Sequence, residues 1–231
     1  MTPDKYNNDL NILRASNDGR FILEDADKFP CLNDDTAAHE NDPHYIYHTA
    51  WAARRLEINK PKSHIDISSY LYFSTIISGF IPTEFYDYRP VYFNLSNFSS
   101  KRADLMQLDF PDNSIESLSC MHVIEHIGLG RYGDSLNIKG DEQAFKELKR
   151  VTALNGKLYI VLPVGNINKI CFNAHRIYTY DLIMSYFLDD FDLSNSALVC
   201  NRANEFVLNP SRDVFYQQFY GCGCFEFTKK S

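Results

Sequence analysis

The segment CMHVIEHIGLGRYGD, residues 120–134, concentrates the groups most able to do chemistry. His122, Glu125 and His126 form an H-x-x-E-H pattern, one of the signatures of zinc peptidases. A zincin needs its two histidines on one helical face, with the glutamate beside them as base. Here the pattern follows an apolar stretch with the character of a strand, and Gly128, Gly130 and Gly133 come directly after it. Glycines so placed break the helix that such a site requires, so no metal is expected at this motif. Two readings remain. The histidines cap and pack a strand-to-helix turn, or the segment opens onto a ligand. In the second, His126, or else His122, has the ordinary acidity of a general base at neutral pH, and Glu125 orients it or faces the substrate.

The loop GLGRYGD that follows carries Arg131 and Asp134. An arginine there could grip a carboxylate or phosphate with its planar fork, and the aspartate could hold that arginine or act on a hydroxyl. A glycine turn stapled by an Arg–Asp pair explains the same residues. Further on, FNAHRIY places Asn173, His175 and Arg176 within four positions, offering a donor, a base and a cation, or simply packing. Cys222 and Cys224 are one residue apart and would share one face of a strand, which reads as core.

These residues need a frame. Residues 44–60 have helical spacing in Tyr47, Trp51 and Leu56, closed by Pro61. Short strands are predicted at 63–70 and 84–88, with an apolar helix over LYFSTIISGF between them. Two more strands, ADLMQLDF and SIESLSCM, flank the turn PDNS. Residues 141–154 form the clearest helix, with Ala144, Leu148 and Val151 on one face and Asn155-Gly156 as its stop. A buried strand over 157–164, a helix over TYDLIMSYFL capped by Thr179, and late strands ALVCN and CGCFEFTKK complete the pattern. Strands alternating with helices predict an α/β fold. It is a doubly wound, Rossmann-like, mostly parallel sheet with a terminal antiparallel strand and an N-terminal helical or irregular extension. The division expected is 1–60 as the extension, covering a pocket, and 61–231 as the main domain. NDDTAAHENDP is its most loop-like piece.

In such a sheet ligands bind beyond the carboxyl ends of the strands. Asp66 and Asp87 lie about one first-strand-to-ribose interval apart, roughly 20 residues. Asp87 is therefore expected to accept hydrogen bonds from ribose hydroxyls, and Asp66 to lie near the same ligand.

LMQLDFPDNSIESLSCMHVIEHIG and AFKELKRVTALNGKLYIVLPV together resemble the central part of class I S-adenosylmethionine-dependent methyltransferases. The resemblance spans roughly 63–165. EHIGLGRYGD and FNAHRIY resemble a branch of methyltransferase-like proteins found with bacterial surface-polysaccharide genes. The first loop departs from the family's glycine-rich pattern: Ser68 and Ser69 stand where glycines are usual, and between Arg20 and Ile127 the only glycine is Gly79. The resemblance implies S-adenosyl-L-methionine as cofactor, lined by Asp66, Ser68, Asp87, Asp104 and His122. It implies methyl transfer to a hydroxyl, less readily an amine, of a sugar or sugar-phosphate intermediate of surface polysaccharide. His126, His175 and Glu125 are then the catalytic candidates, and Arg131, Asp134, Asn173 and Arg176 the substrate contacts. The alternative is a methyltransferase-like fold that has lost the cofactor and serves as a binding or assembly partner, or performs another reaction on a nucleotide sugar.

The 30 acidic against 23 basic residues, a net charge of −7, argue against nucleic acid as a partner. No apolar run approaches the length of a membrane span, so no membrane insertion is expected. The six scattered cysteines suit a reducing cytoplasm. A homo-oligomer is among the states the sequence allows.

Overall fold

The computed structural model describes residues 1–34, 36, 41–201 and 205–231, so NDDTAAHENDP lies partly outside the described residues. The chain divides into two compact units, 1–41 and 42–231. In the first, α1 (Pro3–Ala15) starts where the Thr2 hydroxyl accepts from the Lys5 amide, and it buries no residue. Asp25 draws Arg14 and Lys28 to 2.5 Å each.

The second unit begins with α2 (Pro43–Asn59), capped by the Asp42 carboxylate and ended at Lys60 in the left-handed conformation. The helix predicted over 44–60 is thus part of the sheet-bearing unit. Its Trp51, Ala52 and Leu56 are buried. The sheet is built from β1 (His64–Ile67), β2 (Thr83–Asp87), β3 (Phe98–Arg102), β4 (Ile115–Met121), β5 (Thr152–Val164), β8 (Phe191–Val199), β9 (Phe206–Leu208) and β10 (Gly221–Lys229). A separate hairpin joins β6 (Lys169–Cys171) and β7 (His175–Ile177). The sheet order is β3-β2-β1-β4-β5-β10-β8-β9. Strands β1 to β5 run parallel, β10 pairs antiparallel with both β5 and β8, and β9 pairs antiparallel with β8. The α/β, mostly parallel, doubly wound architecture expected from the alternation is therefore present, with its antiparallel strands at the C-terminal end.

Helices cover both faces. Helices α4 (Gly140–Val151), α5 (Tyr180–Phe187) and α6 (Arg212–Tyr216) contribute Ala144, Phe145, Leu148, Phe187 and Phe215 to one core. Helices α2 and α3 (Leu71–Ile77) bring Trp51, Leu56, Phe73 and Ile77 onto Met121, Tyr159 and Val161 on the other. The face predicted for α4 is fully buried: Ala144, Leu148 and Val151 expose nothing. Thr179 caps α5 through the Leu182 amide.

Three elements differ from the sequence expectation. ADLMQLDF is not a strand: it forms a turn with an isolated bridge between Asp104 and Gln107. Its buried leucines, Leu105 and Leu108, are three apart rather than two, which fits a turn folded over the core. The third strand of the sheet is instead FSSKR, a polar edge strand with no apolar alternation. Helix α4 also stops earlier than predicted. Residues from Thr152 onward enter β5, and Asn155, not Gly156, takes the left-handed turn (φ 61°).

Candidate functional site

The carboxyl ends of β1, β2, β3 and β4 meet where the strand order reverses, between β1 and β4, which is where an open α/β sheet binds ligands. A cavity of about 410 Å³ opens there. Ser68, Ser69 and Tyr70 line it after β1, Asp87 to Arg89 after β2, and Ala103 to Met106 after β3. Met121 to Val123, His126 and Ile127 line it after β4. Tyr45 of α2 and Tyr132 to Ser135 of the glycine loop complete the wall.

The backbone at this end is unusual. Ser68 and His122, at the ends of adjacent strands, both hold φ 56°. The left-handed region costs a side-chain-bearing residue roughly 1–2 kcal/mol, and such residues gather at functional sites. Ser68 thus keeps the backbone path that a glycine would take. Its amide and hydroxyl both donate to the Tyr86 carbonyl, at 2.8 and 3.1 Å.

Of the expected cofactor contacts, Ser68, Asp87, Asp104 and His122 line the cavity. Asp87 and Asp104 each fold their own loop, accepting from the Arg89 and Met106 amides at 2.7 and 2.9 Å. Asp66 does not reach the cavity. It is fully buried beneath it and accepts hydrogen bonds from the hydroxyls of Ser69, Ser74 and Ser119. Ser69, which does line the cavity, also accepts from the Met121 amide at 3.0 Å, so Asp66 acts on the wall through Ser69. Burial raises the Asp66 pKa to about 6, against the three hydroxyl donors that favour the anion.

His122, Glu125 and His126 do not share a helix. His122 follows β4, and Ile124–His126 form a single 3₁₀ turn. Both histidines flank the same carboxylate: His122 Nδ1 lies 2.8 Å and His126 Nε2 3.7 Å from Glu125 Oε1. Glu125 is buried and does not line the cavity. Desolvation pushes its pKa up to about 7, against the pull of His126. Burial lowers His122 to about 4 and lowers His126 as well, so both imidazoles are neutral at pH 7. His126 Nδ1 lies 2.6 Å from the Ala174 carbonyl, which fixes its proton there and leaves Nε2 as the basic nitrogen.

The remaining candidates divide. Asp134 lines the cavity and staples the glycine loop, accepting from the amides of Gly128 (2.7 Å), Tyr132 (3.2 Å) and Gly130 (3.3 Å). Arg131 is exposed and off the cavity wall. It donates to the Ala174 carbonyl at 3.0 Å rather than to Asp134. Arg176 is buried away from the cavity, donates to the carbonyls of Ile127 (2.7 Å) and Ile138 (3.2 Å), and lies 3.5 Å from Asp141. It ties the loop to the β6–β7 hairpin. Asn173 is exposed at the tip of that hairpin, and His175 packs on the Tyr220 ring at 5.2 Å; neither lines the cavity. Sequence reasoning missed Tyr45 and Tyr132 as cavity walls: Tyr132 lies inside the glycine loop, whereas Tyr45, on α2, has no signal in its local sequence.

The fold is shared with solved structures. N-methyltransferase NodS from Bradyrhizobium japonicum, solved with S-adenosyl-L-homocysteine, superposes with a TM-score of 0.56 at 10% identity over 87% of this chain and 94% of that one. The MccD protein gives 0.55 at 15% over 83% and 100%, and the [4+2]-cyclase SpnF gives 0.54 at 13% over 83% and 86%. The chain therefore has the class I methyltransferase fold. Residues 90–199 match a family described as Caenorhabditis protein of unknown function, DUF268. No curated protein sequence matches the chain. Among the described residues, no helix is long and apolar enough to cross a membrane.

Proposed function

We propose that this chain transfers the methyl group of S-adenosyl-L-methionine to a small acceptor bound in the strand-end cavity. One observation carries the reading: a single cavity is lined on one side by Ser68, Ser69, Asp87 and Asp104 and on the other by His122 and His126. Its volume, about 410 Å³, falls in the range of small-molecule sites. The residues suit the cofactor. Asp87 offers a carboxylate to a ribose, Leu105, Met106 and Tyr70 offer apolar surface to a base, and the Ser68 turn lets the backbone approach closely. The bound cofactor would supply an electrophilic methyl on a sulfonium. The chain's part is to hold the acceptor in line with it and to take the acceptor's proton. His126 Nε2 is the base, neutral at pH 7, and Glu125 steadies the imidazolium that forms. Helix α2, which falls within the expected N-terminal cover, contributes Tyr45 to the wall.

The acceptor in this proposal is a hydroxyl, less readily an amine, of a sugar or sugar phosphate in cytoplasmic surface-polysaccharide synthesis. The sequence resemblance of EHIGLGRYGD and FNAHRIY supports it, with Asp134 beside the acceptor. Calorimetric titration with S-adenosyl-L-homocysteine tests the cofactor. Binding is expected, and Asp87→Ala should weaken it about tenfold or more, the effect of losing a charge-assisted hydrogen bond of roughly 1.5–3 kcal/mol. No heat and no thermal shift at saturating ligand would favour the alternative, a methyltransferase-like fold without the cofactor. That the cyclase SpnF shares the fold gives that alternative a concrete form, catalysis of another reaction.

A further inference from the structure

Three side chains from distant parts of the sequence converge behind His122. One ring nitrogen of His44, one of His122 and the Cys222 thiol lie within 4.8 Å of one another. His44 is in the first turn of α2, His122 follows β4, and Cys222 lies near the start of β10, paired with Pro163 near the carboxyl end of β5. The His44 and His122 rings are stacked, with centroids 5.7 Å apart and planes 8° from parallel.

A second observation points to a ligand here. The His122 Nε2 atom is buried and has no hydrogen-bond partner. Its Nδ1 is 2.8 Å from Glu125 Oε1; in the tautomer that donates to the carboxylate, the Nε2 lone pair is bare. A histidine oriented by a carboxylate through one nitrogen and empty at the other is the arrangement that supports metal ligation. An unpaired buried acceptor is otherwise a cost of roughly 1–3 kcal/mol with nothing to offset it. Cys222 is wholly buried and forms no disulfide.

We propose that His44, His122 and Cys222 bind a zinc ion. Two imidazoles and one thiolate are borderline-soft donors suited to zinc, and three protein ligands leave a fourth position for water or an acceptor oxygen. Zinc–nitrogen bonds of about 2.0–2.1 Å and zinc–sulfur bonds of about 2.3 Å require the three atoms to close by roughly 1 Å. His44, half-buried on the first turn of its helix, can supply that movement by side-chain rotation. Binding replaces the thiol S–H with an S–Zn bond and releases one proton to solvent, with no redox change. The site differs from the H-x-x-E-H pattern. It uses His122 without His126, keeps Glu125 as a positioning residue behind His122, and takes its other two ligands from opposite ends of the chain. Because His122 also lines the cavity, the ion would stand at the cavity wall.

The proposal does not rest on methyl transfer and is tested without it. Purified wild-type chain, dialysed against metal-free buffer, is analysed for metal content. Stoichiometric zinc is expected, with Cys222→Ser and His44→Asn each losing most of it and His126→Asn retaining it. Circular dichroism and thermal melts check that the variants fold. If either ligand variant fails to fold, the wild type stripped and reloaded with cobalt decides. A near-ultraviolet thiolate-to-cobalt charge-transfer band, together with intense visible bands of tetrahedral cobalt, is the expected signature. Absence of metal above background and of the charge-transfer band overturns the site, as does zinc retained in folded Cys222→Ser. Titration with S-adenosyl-L-homocysteine is independent of either result, so failure of the metal site and failure of the cofactor reading are separable.

Discussion

Two buried polar networks touch strand β4, one along its length and one at its carboxyl end, and they differ in one respect. Behind β1, His64 bridges Ser117 and Ser119 at 2.8 Å each, Ser119 donates to Asp66, and Ser69 and Ser74 complete the carboxylate's shell. Every buried polar atom there has a partner. At the end of β4, His44, His48, His122 and Glu125 crowd together, the His48 and His122 ring centroids 5.1 Å apart. In that cluster His48 Nε2, His122 Nε2 and Glu125 Oε2 have none. A satisfied network rigidifies a core, whereas an incomplete one costs stability unless something else completes it. The first network holds the floor of the cavity. The second is built as though a bound group belonged to it.

The difference can be broken most forcefully by deletion. Asp66→Ala strands three hydroxyls and should cost on the order of 3 kcal/mol in chemical denaturation. Glu125→Gln keeps the shape and the acceptor facing His122, and should cost less than about 1 kcal/mol while impairing turnover. Equal losses in the two variants would erase the distinction.

Acid sharpens it. In the first network His64 is lowered to about 3 by burial, while burial raises Asp66 to about 6. A histidine with a depressed folded value contributes stability that is present above its unfolded value near 6.5 and lost as pH falls towards 3. A carboxyl with a raised folded value contributes stability that is present below its unfolded value near 3.8 and lost as pH rises through 6. Between pH 4 and 6 the two slopes oppose and nearly cancel. In the cluster, burial lowers His44, His48 and His122 to about 4, 3 and 4, and only Glu125, raised to about 7, opposes them. Unfolding free energy of the metal-free chain should therefore fall as pH drops from 6.5 to 4, mainly through the cluster. Each unopposed proton is worth roughly 1.4 kcal/mol per pH unit. His48→Gln should flatten that slope by about one proton, and the double variant His64→Asn with Asp66→Asn should leave it nearly unchanged. Denaturant titrations at three pH values would decide.

The smallest effect concerns the cavity floor. Ser68→Gly relieves a left-handed residue but frees the unfolded chain and loses the hydrogen bond to Tyr86, so stability should stay within about 1 kcal/mol of wild type. Ser68→Val, β-branched at the same φ, should cost roughly 2 kcal/mol and weaken S-adenosyl-L-homocysteine binding. A tolerated valine would mean that the turn after β1 is not held as described.

The sequence by itself determined the elements whose patterns are local. The buried face of α4 is written in Ala144, Leu148 and Val151, and the start of α5 in Thr179, because a helix face and a cap are set by residues a few positions apart. It also placed Ser68, Asp87, His122 and His126 at strand ends, where the fold puts its cavity, whereas Asp104, expected near the start of a strand ADLMQLDF, follows β3 instead. It did not reveal β3, because an edge strand such as FSSKR carries no alternation of apolar residues and is held by backbone pairing to β2. Nor did it separate Asp66 from Asp87, since spacing cannot say which carboxylate turns under the sheet. Only the tertiary structure joined His44 and Cys222 to His122. Their meeting depends on where α2 packs and on β10 inserting beside β5, and contacts between such distant segments leave no periodic trace in the chain.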